Sequence, residues 1–154
     1  MTETPAVRRT QTDSPWEETL GFARAVEAGD LVLVSGTLPL SGGVVSAEGS
    51  PYEQTMLAFR NALAALEPFG LGAENVVRTR MYLSHVRDVE DVGRAHRELF
   101  GAVRPATTMV VVAGFTDSRV LVEVELEAHR AARRATGPAA DGAADRENFR
   151  GDPA

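Results

Sequence analysis

The stretch "RPATTMVVV", residues 104–112, decides the fold. Arg104 and Pro105 read as a turn, and the β-branched run that follows reads as a strand entering a sheet. Thr107 is the residue at issue. It is either an ordinary strand residue or the occupant of a position where a catalytic group is expected.

Working outward, "RVLVEVELEAH" (119–129) alternates apolar and acidic residues with a period of two. That spacing puts Glu123, Glu125 and Glu127 on one strand face. A short loop around Thr116 joins it to the first stretch. Upstream, "VVRTRMYLSHV" (76–86) is strand-like, and "DVEDVGRAHRELFG" (88–101) is a helix with Asp88 as its cap and Gly101 as its stop. "SPYEQTMLAFRNALAALEPFG" (50–70) carries a fuller set of helix marks. Ser50 caps, Pro51 fits the first turn, Glu53 completes a capping box, and Pro68 and Gly70 end it. Met56, Phe59, Leu63 and Leu66 recur at helical spacing and predict a buried stripe. "FARAVEAG" (22–29) meets a Gly-Asp hairpin signal and then the apolar run "LVLVSG". A Gly/Ser-rich excursion, "LPLSGGVVSAEG", follows it.

The order ββ-α-β-α-ββ describes an α+β domain with two helices on one face of a mixed β-sheet. Residues 1–15 lack periodicity and read as a flexible N-terminal arm. The domain is expected over 16–130. The tail 131–154 is rich in Ala, Gly, Pro and charge, and has too little apolar surface to offset its ordering entropy.

Composition narrows the chemistry. Sixteen basic against 22 acidic residues give a formal charge of −6. That disfavours nucleic-acid binding as the main business. No apolar run has the length of a membrane span, and the N-terminus lacks the apolar core of a signal peptide, so a cytoplasmic location is expected. There is no cysteine, which excludes disulfides, thiolate nucleophiles and Cys-bound metals. Every basic residue is Arg, so internal Schiff-base chemistry and a Lys general base are excluded as well. Carboxylates, two tyrosines and three histidines are left. The histidines are scattered and do not have metal-ligand spacing.

"GFARAVEAGDLVLVSG", the helix after "SPYEQT", "VVRTRMYLSHVRDVEDV", "RPATTMVVV" and "LVEVELEA" occur in this order at these spacings. Together they closely resemble the reactive intermediate deaminase (RidA/YjgF) family over residues 16–128. The resemblance implies a chorismate-mutase-like fold and a homotrimer with a central barrel. Small-molecule ligand clefts would lie between subunits. It also implies hydrolysis of enamines and imines, such as 2-aminoacrylate and its imine tautomer, to a 2-keto acid and ammonia. No metal and no organic cofactor take part.

Such chemistry needs a cation for the substrate carboxylate, an acceptor that aims water, and a proton relay. The cation of active members is an arginine two positions after the proline of the "RPA" turn, and Thr107 stands there. A threonine hydroxyl has no charge and offers one neutral hydrogen bond. By the same resemblance Ser35 matches a pocket serine, and Phe22 falls where many members have a pocket tyrosine. Glu123 matches the water-positioning carboxylate, and Thr108 and Met109 match the segment that lines the cleft. Arg104 reads as a solvated loop residue. Arg80, between apolar neighbours in "RTRMYL", is costly to bury unpaired. It is expected either to pair with an acidic side chain such as Glu123 or to supply the cation that Thr107 cannot. Arg24 is a weaker candidate of that kind, and His96 is a candidate proton carrier or a packing residue. Two functions follow. One is an imine or enamine deaminase with altered specificity. The other is a non-catalytic trimer that binds a ligand or partner in the same cleft.

Overall fold

The computed structural model describes residues 6–132. In chain order the elements are β1 (Arg8–Thr10), α1 (Pro15–Leu20), β2 (Ala25–Ala28), β3 (Leu31–Thr37), β4 (Leu40–Ser41) and β5 (Val44–Val45). They continue with α2 (Pro51–Ala64), β6 (Val76–Leu83), α3 (Val89–Phe100), β7 (Ala106–Val111) and β8 (Val122–His129). Six strands form one sheet in the order β1-β2-β3-β8-β6-β7, and β4 and β5 form a separate small ribbon. Among the described residues only β6 and β7 run parallel, which makes the sheet mixed. The α3 helix is their crossover.

The two-residue periodicity of β8 builds the core. Val122, Val124, Leu126 and Ala128 are buried beneath the helices, whereas Glu123, Glu125 and Glu127 lie on the open face. Thr79, Met81 and Leu83 of β6 bury on the same side as the valines. Phe59 of α2 and Phe100 of α3 close the core from above, with ring centroids 5.0 Å apart in an edge-on contact. Each such side chain contributes roughly 1.5–3 kcal/mol on burial. Gly29, at φ 63, turns the chain between β2 and β3, a backbone region that favours glycine.

The sequence expectations need four corrections. Residues 8–10, placed in the flexible arm, form β1 and pair with β2. Polar contacts hold them there: Arg8 Nε lies 3.0 Å from Glu27 Oε2, and its guanidinium sits 4.7 Å from the Phe69 ring centroid. Apolar periodicity has no view of such a strand. The short α1 adds a third helix. In α2 the buried stripe consists of Thr55, Ala58, Phe59, Ala62 and Gln54 rather than Met56 and Leu63, which are half-buried. Ala58 and Ala62 pack in the core beside Phe59. Gln54 substitutes for a strand edge by donating to Arg119 O and accepting from Leu121 N.

The fourth correction concerns the caps. Ser50 Oγ accepts from Glu53 N at 3.2 Å, but Ser50 N–H donates to Ala47 O, so the box is half made. Asp88 precedes α3 without a capping hydrogen bond, because a 3-10 turn at Val86–Asp88 already leads into the helix. Gly101 does end α3, yet in a right-handed conformation. A Cβ there would come within 2.5 Å of Arg97 O. The expected unstructured tail lies, beyond Ala132, outside the described residues. Among the described residues no helix is long and apolar enough to cross a membrane.

Candidate functional site

The register of β3 against β8 shifts between Val34 and Thr37, so Ser35 and Gly36 occupy an irregularity that bends the strand. This bend opens a cleft of 660 Å³ bounded by α1, the bulged strand and the loop before β8. Phe22, Ser35 and Glu123 all line it. Glu123 leans directly over Gly36, where a Cβ would come within 2.2 Å of Glu123 Oε1. The glycine leaves the room that the carboxylate occupies.

Glu123 is half-buried and has no hydrogen-bond partner among the described residues. Burial pushes its carboxyl above the ordinary value, and the nearby charge of Glu125 adds to the rise while Arg24 opposes it. Its neighbours are engaged with other groups. Ser35 Oγ–H donates to Ala23 O at 2.7 Å. Arg24 donates from Nε to Glu17 Oε1 at 3.1 Å, and from Nη1 to Gly36 O at 2.9 Å and Thr37 Oγ1 at 3.2 Å. Its guanidinium lies 5.7 Å from the Phe22 ring centroid.

Glu17, only 2% exposed, ties α1 to this wall. It accepts from Thr12 N at 2.8 Å and Thr12 Oγ1 at 2.7 Å as well as from Arg24. Burial alone would raise its carboxyl, but the Thr12 bonds and Arg24 together hold it below the ordinary value. The tie presents Trp16 and Leu20, 53% and 67% exposed, at the cleft mouth. Sequence reasoning missed this wall. The signal was available: Ser14-Pro15-Trp16-Glu17 has the Ser-x-x-Glu spacing and early proline of a helix start. Phe115, which also lines the cleft, carried no comparable mark.

The remaining candidates lie elsewhere. Arg80 is on the open sheet face and is not a wall of the cleft. Its Nη1 lies 3.0 Å from both Glu125 Oε1 and Glu127 Oε1, and Tyr82 Oη–H donates to Glu125 at 2.9 Å. The expected pairing with Glu123 fails because the strand register sets Arg80 opposite Glu125 and Tyr82 opposite Glu123.

Thr107, Thr108 and Met109 are on β7, separated from β3 by β8 and β6. Thr107 and Thr108 are exposed, and Met109 packs against the core. Thr107 Oγ1 is 2.9 Å from Thr79 Oγ1, which is 2.8 Å from His96 Nε2. One consistent set of protons runs from His96 Nε2–H to Thr79, from Thr79 to Thr107, and from Thr107 to Pro105 O at 3.0 Å. The Thr107 proton is then spent on the backbone. His96 packs edge-on to Phe59 and beside Phe100, and burial pushes its imidazole below the ordinary value. Arg104, at φ 57, is exposed at the entry to β7.

Comparison with known proteins adds a second line of observation. The profile of the family described as Endoribonuclease L-PSP matches residues 14–130. An uncharacterised Streptomyces coelicolor protein, SCO2049, is 61% identical over 127 residues, which is 82% of this chain and 95% of that protein. A RutC family protein of Aquifex aeolicus is 30% identical, covering 69% of this chain and 84% of its own length. Among solved structures, Rv2704 of Mycobacterium tuberculosis, a member of the YjgF/YER057c/UK114 family, superposes with a TM-score of 0.71 at 35% identity. That match covers 80% of this chain and 99% of Rv2704.

Proposed function

The chain belongs to the RidA/YjgF family and has its chorismate-mutase-like fold, and on that premise we propose that it is a cofactor-independent hydrolase of a small imine or enamine. The products are a carbonyl compound and ammonia. The observation that carries this reading is Glu123, an unpartnered half-buried carboxylate facing a cleft walled by Phe22 and Ser35. A carboxyl raised by burial accepts a proton near neutrality more readily than a solvated one. It suits a water-activating role.

In this mechanism Glu123 accepts a hydrogen bond from a water and turns its oxygen toward the imine carbon. The C–O bond forms as the C=N electron pair moves onto nitrogen, and Glu123 takes the water's proton. The carboxyl then returns that proton to nitrogen, and in a second transfer Glu123 takes the hydroxyl proton of the carbinolamine and passes it to nitrogen, so that the C–N bond breaks and ammonia leaves as the carbonyl forms. An enamine must first gain a proton on carbon and give up one from nitrogen to become the imine. Thr107 has a neutral hydroxyl already bound to Pro105 O, so it contributes no charge for a substrate carboxylate. Specificity therefore departs from that of arginine-bearing relatives.

The working form is a homotrimer. The candidate residues divide between the Phe22–Ser35–Glu123 cleft and the β7 segment Thr107–Met109, on distant strands of one subunit. A threefold assembly gives each cleft its β7 from a neighbour. The alternative reading, a non-catalytic trimer that binds a ligand in the same cleft, is favoured by the loss of the arginine. The deciding assay follows ammonia release from a panel of imines generated in situ by an amine or amino-acid oxidase, with Glu123→Gln in parallel. The enzyme reading expects acceleration that falls about a hundredfold or more in the variant. Binding without turnover across the panel would leave the binder reading.

A further inference from the structure

The charges around the cleft do not suit an anionic ligand. Arg24 is its one cation among the described lining residues, and Glu17 faces that charge from 3.1 Å while Gly36 O and Thr37 Oγ1 accept from its Nη1. Glu125, on the same wall, is held by Arg80 and Tyr82. The Ser35 proton is spent on Ala23 O. After these pairings, one charged group among the described lining residues remains without a partner, the Glu123 carboxylate. A second carboxylate brought here would meet Glu123 and Glu125 with only Arg24, already balanced by Glu17, as a cation among this subunit's lining residues, and like charges at short range in a partly desolvated site repel strongly.

The other walls are apolar and aromatic. Trp16, Leu20, Phe22, Leu38 and Phe115 surround the space beside Glu123. Aromatic faces attract cations by their quadrupole and stack on flat apolar bodies. A half-buried carboxylate in such surroundings gains more from an opposite charge than it would in water.

We propose that the cleft selects a ligand with a flat apolar or aromatic body and a positively charged nitrogen, an iminium or ammonium group, paired by Glu123, and that it rejects carboxylates. This rests on the cleft being the substrate site, and it names the substrate class: protonated imines of apolar amines without an acid group. The charge that the family position at Thr107 no longer supplies is not needed, because the substrate brings the positive charge and the protein the negative one.

The full chain contains one tryptophan, Trp16, at the cleft mouth, so binding can be read without turnover. Trp16 fluorescence is titrated at pH 7.5 with benzylamine, benzyl alcohol and phenylacetate, of matched size and differing charge. The expected order is benzylamine tightest, at least about tenfold tighter than phenylacetate, a ratio equal to one decade of affinity. Glu123→Gln should bring benzylamine down to the level of benzyl alcohol and leave benzyl alcohol unchanged, which also reports that the variant is folded. The proposal fails if phenylacetate binds as tightly as benzylamine, if the variant keeps the preference, or if none of the three binds. Amine preference without imine hydrolysis would overturn the hydrolase reading and leave this one standing. Hydrolysis confined to carboxylate-bearing imines would do the reverse.

Discussion

Gly36 and Glu123 act as a pair. The glycine has an ordinary backbone conformation, so its role is the space above it rather than a left-handed turn. Gly36→Ala would put a methyl group where Glu123 Oε1 now lies. The carboxylate is the far end of a flexible side chain and can swing aside, so the fold should survive with a midpoint shift within about 2 °C. Ligand affinity and turnover should fall toward those of Glu123→Gln. An unfolded Gly36→Ala chain, or one with unaltered binding, would contradict this pairing.

The carboxylate also affects stability, with a definite sign. Its folded pKa is raised, so the native state holds the proton more tightly than the unfolded chain does. The stabilising contribution is then full below the ordinary carboxylate value and is lost as pH rises through the folded one. At pH 7.5 the charged, desolvated Glu123 weakens the fold. Glu123→Gln should raise the melting temperature there by on the order of 2 °C, reduced by its partial exposure, and the gain should vanish toward pH 4. Scanning calorimetry at both pH values measures it.

At the scale of elements, the cleft wall depends on one buried ion pair. Glu17 joins α1 to the Thr12 backbone and to Arg24, and through Arg24 to the bulge of β3. Removing one partner of a buried pair leaves the other charge uncompensated, at a cost of about 3 kcal/mol. Glu17→Gln should lose that much in denaturant unfolding and increase the solvent exposure of Trp16, visible as a red shift in its emission. The pH sign is opposite to that of Glu123. The folded pKa of Glu17 is lowered, so its contribution is present above the ordinary carboxylate value and is lost as pH falls through the folded one. The variant should show a flatter acid limb than the wild type.

These two carboxylates also mark what the sequence made legible. Alternation in "LVEVELEA" located β8 and its acidic face, because burial on one side leaves a period that can be read directly. The hairpin, α2, α3 and β6 were equally plain. Resemblance located Phe22, Ser35 and Glu123 as neighbours, although Phe22 and Glu123 are about a hundred positions apart in the chain. Partner choice was not legible. Arg80 faces Glu125 rather than Glu123 because of a register that the sequence leaves open by one pair. The Arg24–Glu17 tie and β1 rest on specific polar contacts, which have no period. The buried face of α2 includes Thr55, Ala58 and Ala62, small residues that a search for large apolar side chains passes over.

For the whole molecule, the proposed trimer gives the network on the open face a part in assembly rather than chemistry. Arg80 separates Glu125 from Glu127, and without it two carboxylates face each other across a surface that the trimer would enclose. Arg80→Ala should therefore weaken the oligomer and leave the benzylamine preference of assembled protein intact. Light scattering across a dilution series measures the first, and Trp16 titration at high protein concentration the second. A stable oligomer in the variant, or a lost preference, would instead make Arg80 part of the ligand site.

The sheet has two unlike edges. At one end β1 is three residues long and carries Arg8 and Arg9, a short charged strand of the kind that discourages further pairing. At the other, β7 is six residues long, with Val110 and Val111 42% and 49% exposed, and its outer backbone meets no strand among the described residues. Stacking of stray chains therefore has a direction: one end of each subunit is guarded and the other recruits. For the proposed trimer, storage lifetime then depends on how much of the protein is free of its partners. Dilution and mild denaturant, which release subunits, are the conditions that should seed fibrous precipitate, and ligands that hold the assembly together are its natural preservatives.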